Sequence, residues 1–245
     1  MRKFIFTILA LVTSYSLLGQ EYIMFHTSYI KVKDGKHSQL RSAILKHNAK
    51  YHNGDNRPKA YLWYVDTGPK SGQYTWAEGP MTFSDKDKPL TKEYMRDWQA
   101  NISPFGEQHS FIYMMRDEEM TYNPEDEKVG KNILLKRIKI KNGPEHVEAV
   151  ENTIQKIADV LESTGSSQAR RVYRNVFPDG GQEIMLVYPF NSWTQFGNGT
   201  LGLPDGFQDD YEKVNGRGSW KRDVMDILSE HSHGVSNEVQ TMVEK

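Results

Sequence analysis

Apolar and polar residues alternate from Phe25 to Val32, with Ile30 and Val32 on one face and Tyr29 and Lys31 on the other. That period of two predicts a strand. Asp34-Gly35 marks a turn. From Lys36 to His52 the period lengthens, and Leu40, Ala43, Ile44, His47 and Tyr51 fall on one helical stripe. "NGDNRP" ends that helix. Strands are expected at Tyr61–Asp66 and Gln73–Glu78, separated by "GPKSG". Leu90, Tyr94, Trp98 and Ile102, four apart, predict a second helix over Leu90–Asn101, and Ser110–Arg116 reads as a fourth strand. The order is β-α-β-β-α-β.

The same grammar then returns. "YIKVKDGK" at Tyr29–Lys36 is followed by "RIKIKNGP" at Arg137–Pro144. "AYLWYV" from Ala60 sits opposite "ARRVYR" from Ala169, and "GQYTWAEGPM" from Gly72 opposite "GQEIMLVYPF" from Gly181. Three matches in order, at an offset of 108 or 109, indicate an internal duplication. The second copy has a strand at Ile133–Ile140, a helix at Glu145–Leu161, strands at Ala169–Phe177 and Glu183–Tyr188, and a helix around Trp220–Ser229. A short strand, "NEVQTMVE", closes the chain. Only the second copy carries Phe196–Ser219, which is Gly-rich and long for a compact-domain connection. Its Leu201, Leu203, Phe207 and Tyr211 favour a packed loop over a disordered one.

Composition narrows the class. The 245 residues suit one large domain or two of about 100–120. A net charge of −1 supplies no field for nucleic acid or an anionic membrane. The chain has no Cys, which removes disulfides, thiolate nucleophiles and Cys-ligated metals. Met1-Arg2-Lys3 followed by the apolar run Phe4–Leu18 and Gly19 reads as a secretory signal peptide, residues 1–20. The run is shorter than the roughly 20 residues that span a bilayer. The mature chain is therefore expected to be exported, periplasmic or extracellular, with no membrane span. The two copies are assigned to residues 21–122 and 131–245.

β-α-β-β-α-β is the ferredoxin-like unit: an antiparallel sheet with both helices on one face. Two copies can bury their remaining faces against each other. With "IKVKDGK" and "IKIKNG" at strand–turn–helix junctions, the sequence resembles the dimeric α+β barrel superfamily, which includes antibiotic-biosynthesis-type monooxygenases and NIPSNAP-like proteins. The resemblance implies an α+β fold of two tandem ferredoxin-like domains packed sheet to sheet within one chain, as a monomer or homodimer. It also implies ligand pockets between each sheet and its helices.

Candidate chemistry follows from comparing the copies. His47 and Tyr51 stand on a stripe where the second copy has Ile157 and Leu161. A buried imidazole is costly unless hydrogen-bonded and titrates near neutral pH. The plain alternative is that both residues pack at a helix end with a polar tip in water. His26, Trp63, Trp76 and Glu78 on the first-copy strands are the next candidates for a ligand-lining role; core packing is the alternative for the aromatics. His37 and His52 are expected to be solvated. "EHSH" at Glu230–His233 offers two imidazoles without the further ligands that zinc needs, so no metal site is assigned. Arg170, Arg171 and Arg174 with Lys136 and Arg137 form a basic cluster, either an anion site or paired charge. Hydrolase, Walker and Rossmann signatures are absent. The expectation is a binder of a small hydrophobic or aromatic molecule, with no cofactor required. The other reading is a cofactor-independent or haem-linked monooxygenase-like enzyme, with His47 or His109 as the haem ligand.

Overall fold

A computed structural model describes residues 22–54, 57–124, 130–196 and 202–244. The expected signal peptide and Leu201 lie outside the described residues.

Eight strands follow one another among the described residues: β1 (Met24–Val32), β2 (Ala60–Val65), β3 (Tyr74–Met81), β4 (Gly106–Tyr122), β5 (Asn132–Ile140), β6 (Arg170–Asn175), β7 (Glu183–Phe190) and β8 (Ser232–Met242). Five α-helices accompany them among the same residues: α1 (His37–Tyr51), α2 (Lys92–Asn101), α3 (Pro144–Ser163), α4 (Phe207–Asn215) and α5 (Asp226–His231). The strands form one closed barrel in the order β1-β3-β2-β8-β5-β7-β6-β4, and every pair is antiparallel. Read from β4, the first half runs β4-β1-β3-β2 and the second β8-β5-β7-β6, the same order. The halves meet in two hydrogen-bonded seams, β2 with β8 and β4 with β6.

Strand alternation sorts the side chains into an inside and an outside. Trp63, Met114, Ile133, Leu135, Tyr173, Met185 and Val187 cluster inside the barrel. Outside the first half, Ile30, Leu62, Tyr74 and Trp76 pack under Leu40 and Ile44 of α1 and under Ile102. Outside the second, Leu134, Ile138, Val172, Ile184 and Leu186 pack under Val150 and Ile154 of α3. The stripe read from the sequence on α1 thus faces its sheet. α4 builds part of the insertion, and its Phe207 and Tyr211 pack with Ile157, Val160 and Leu161 of α3. The last helix opens with a π-helical stretch, Trp220–Met225, before α5.

Three expectations need correction. β4 is far longer than Ser110–Arg116, because it pairs first with β1 and then with β6, and that pairing carries it through charged residues. β8 is also longer, because it pairs with β5 from Ser232 to Thr241. The third concerns the alignment of the copies. Ile30 pairs with Tyr74, and Ile138 with Ile184, so equivalent places on β3 and β7 are 110 apart rather than 109. The pairs Leu62 with Trp76 and Val172 with Leu186 put β2 and β6 at the same offset. A slip of one residue exchanges inside for outside. By register, His26, Trp76 and Glu78 correspond to Leu134, Leu186 and Tyr188.

Candidate functional site

β3 turns Tyr74, Trp76 and Glu78 outward, towards α1 and α2. Glu78 lies opposite His26 in the β1–β3 ladder and is only 1% exposed. A carboxylate so buried needs partners, and four side chains converge on it. Lys86 Nζ donates to Oε2 at 2.7 Å, and an Arg57 guanidinium nitrogen donates to Oε1 at 3.0 Å. His26 Nδ1 and His52 Nδ1 each stand 3.6 Å away. Lys86 is delivered by the 3₁₀ turn Phe83–Asp85, which is held by a bond from Thr82 N to Asp85 Oδ2 of 2.9 Å. Arg57 lies over the Tyr94 ring. Burial alone would raise the Glu78 pKa; the nearby His26, the bond and charge of Lys86 and the charge of Arg57 override it and hold the group at about 2.

His52, expected to be solvated, is 5% exposed. Its Nδ1–H donates to Pro58 O at 2.9 Å, and its Nε2 accepts from the Tyr94 hydroxyl at 3.1 Å. Burial pushes its pKa down to about 4. The ring is therefore neutral at pH 7. One carboxylate and two cations remain on this floor.

The floor opens into a pocket of about 260 Å³, walled by Trp76, Tyr94 and Trp98. Leu90, Met95 and Phe111 line its mouth and are exposed, Phe111 to 58%. His26 stacks between Tyr113, at 4.7 Å, and Phe111, at 5.8 Å. An apolar lip over a floor with a positive balance suits a flat hydrophobic body with an anionic or strongly polar oxygen.

The structure separates the other candidates from this pocket. His47 is buried, and its Nδ1–H donates to Asp97 Oδ2 at 2.7 Å. Its Nε2 has no partner among the described residues. The rings of Tyr94, Tyr51 and Trp98 pack around it at 4.6, 4.8 and 5.1 Å. It borders a hollow between α1 and α2 with Lys46, Lys50 and Asp97, and stands behind Tyr94 and Trp98 as seen from the Glu78 pocket. The Tyr51 hydroxyl donates to Glu93 O at 3.3 Å. Trp63 faces the barrel interior. Sequence reasoning missed Arg57, His52 and Lys86. Only the excess of charge in "SDKDK" hinted at Lys86, and such runs are ordinarily solvated.

The remaining motifs are dispersed. In the basic cluster, Arg174 pairs with Asp117 and Glu151, Arg137 and Arg171 face inward, and Arg170 is fully buried. His146 Nδ1 and His231 Nδ1 share a hydrogen bond of 2.8 Å. Among the described residues no group of three or more His, Asp and Glu side chains is placed to hold a metal ion. No helix among them is long and apolar enough to cross a membrane. Haem fits neither expected ligand: the free nitrogen of His47 is closed in by aromatic rings, and both nitrogens of His109 are engaged, with Ser110 Oγ at 2.8 Å and Gln73 Oε1 at 2.9 Å.

No protein-family model and no curated protein matches the sequence. Solved structures do match the fold. An anthrone oxidase-like protein superposes with a TM-score of 0.56 at 11% identity, over 91% of this chain and 92% of that one. A variant chlorite dismutase from Candidatus Nitrospira defluvii, in complex with cyanide, gives 0.54 at 9% identity, over 91% of both chains. A proposed monooxygenase from Lactobacillus acidophilus NCFM gives 0.52 at 11% identity, over 91% and 93%. At such identities the likeness is one of fold.

Proposed function

We propose that this chain is an exported small-molecule-binding α+β barrel protein, and that its ligand site is the Glu78 pocket of the first half. We read the barrel as two fused ferredoxin-like copies standing in for a pair of subunits. The repeated strand order and the recurring sequence phrase support that reading. The observation that carries the function is the buried Glu78 carboxylate, clamped by Lys86 and Arg57 beneath an exposed apolar lip. The second half has Leu134, Leu186 and Tyr188 at the matching places, so its own hollow of about 240 Å³ beside Leu134 and Tyr188 has no carboxylate where the first half has Glu78. The ligand is a small aromatic or hydrophobic molecule with one anionic oxygen group. Titration calorimetry with aromatic carboxylates, using 1-naphthoate against naphthalene, tests this. Lys86→Met should weaken the carboxylate at least tenfold, the scale of one charge-assisted hydrogen bond, and leave naphthalene unchanged. Equal affinities for both ligands in wild type and variant would remove the reading.

A second reading uses the same pocket. His26, stacked beside Glu78, stands where it could take a proton from an activated aromatic substrate, whose anion would then react with O₂ without a cofactor. The likeness in fold to a proposed monooxygenase and an anthrone oxidase-like protein favours it. Oxygen uptake with anthrone, lost in His26→Ala, is its test; no uptake leaves binding alone. Export has its own check: the native protein should begin at Gln20 or Glu21, and an N-terminal sequence starting at Met1 contradicts it.

A further inference from the structure

The barrel interior is not filled by its core. A cavity of about 240 Å³ lies inside, bordered by Trp63, Thr75, Ala77, Met114, Tyr173 and Met185. It is separated from the Glu78 pocket by the sheet itself, since Thr75 and Ala77 alternate on β3 with the outward Trp76 and Glu78. A polar network includes two further wall residues. Arg137 donates to Glu183 at 2.9 Å and to the Tyr29 hydroxyl at 2.8 Å, the Tyr29 hydroxyl donates to Glu238 at 3.0 Å, and Gln240 also bonds Glu238. Those groups satisfy one another.

Thr75 does not share in that network. It is 6% exposed, it borders the cavity, and its hydroxyl has no hydrogen-bond partner among the described residues. A buried hydroxyl left unmet is destabilising, so a hydroxyl kept at this place points to an occupant. Water competes for the place and needs about two to four polar partners; besides Thr75 the wall offers Thr27, Arg137, Arg171 and Gln240, of which Arg137 and Gln240 are bonded elsewhere. Thr75 is flanked across its two ladders by Trp63 and by Tyr29, whose hydroxyl is engaged with Arg137 and Glu238, and on the same face of its own strand by Ala77. An apolar cavity of roughly 150 Å³ already admits benzene, and this one has room for a substituent besides. Aromatic rings and methionine sulfurs on the wall favour an aromatic guest.

We propose that the barrel interior is a second ligand site, taking a monocyclic aromatic molecule with one hydroxyl group, which pairs with Thr75. The proposal is independent of the Glu78 pocket. Titration calorimetry with phenol and toluene, on the whole protein, forms a cycle with Thr75→Val, which keeps the shape and removes the hydroxyl. Phenol should bind wild type, and the phenol-to-toluene affinity ratio should fall about tenfold in T75V, the worth of one hydrogen bond. His26→Ala, in the outer pocket, should leave that ratio unchanged. Absence of phenol binding at millimolar concentration overturns the proposal. So does a ratio unmoved by T75V, or one moved by His26→Ala instead, which would put phenol in the outer pocket.

Discussion

Glu78 is buried and charged, and its neighbour His52 is buried and neutral. Both conditions depend on pH, in adjoining windows. The His52 pKa falls from 6.5 to about 4 on folding, so its stabilising effect is complete above pH 6.5 and is lost as pH falls towards 4. The loss is about 3 kcal/mol at 1.36 kcal/mol per unit. Glu78, lowered from 4.5 to about 2, loses a similar amount between those values. Urea midpoints measured across pH should show both limbs, and His52→Asn should shrink the upper one, to which buried His47 also contributes, and leave the lower one in place. His47 predicts the opposite sign. Removing its unmet Nε2 gains about 1–3 kcal/mol, while the bond to the Asp97 carboxylate is worth at most about 1.5–3, reduced by the water that reaches that partly exposed group. His47→Leu should therefore raise the melting temperature by a few degrees and leave naphthoate binding intact. A lower melting temperature would show that the Asp97 bond governs.

At the scale of elements, α2 is the wall on which the outer pocket depends. It presents Tyr94 and Trp98 to the pocket, and Tyr94 also holds His52. Thr91 caps the helix, its hydroxyl accepting from Tyr94 N at 3.2 Å. Thr91→Ala should cost about 1 kcal/mol in chemical denaturation. It should weaken ligands of the outer pocket and spare phenol in the barrel. The stripe of α2 was legible because its residues recur every four positions. His52 was not, because it lies one residue past the end of α1, where no periodicity assigns a face.

At the scale of the whole molecule, closure leaves no strand edge open among the eight, and open edges are what invite further pairing. The chain should therefore sediment as a monomer and unfold in one calorimetric transition, because each half lends its edge strands to the other. The first half expressed alone, residues 22–122, would expose β2, β4 and the inner apolar face, and should self-associate. A stable monomeric half would show that the seams contribute little.

The order of strands and helices followed from the sequence, because alternation by two and stripes by four are local and survive without a fold. The sequence also set the first half apart from the second in composition, with His, Trp and Glu against aliphatics. Only the tertiary structure decided which of those residues share a site. Trp63 and Trp76 looked alike, but the register sends one into the barrel and the other under α2. Lys86, Arg57 and His52 reach Glu78 from loops and a helix end, places without a period to read. The unfilled barrel interior was wholly hidden, since a cavity belongs to how side chains from many strands fail to meet.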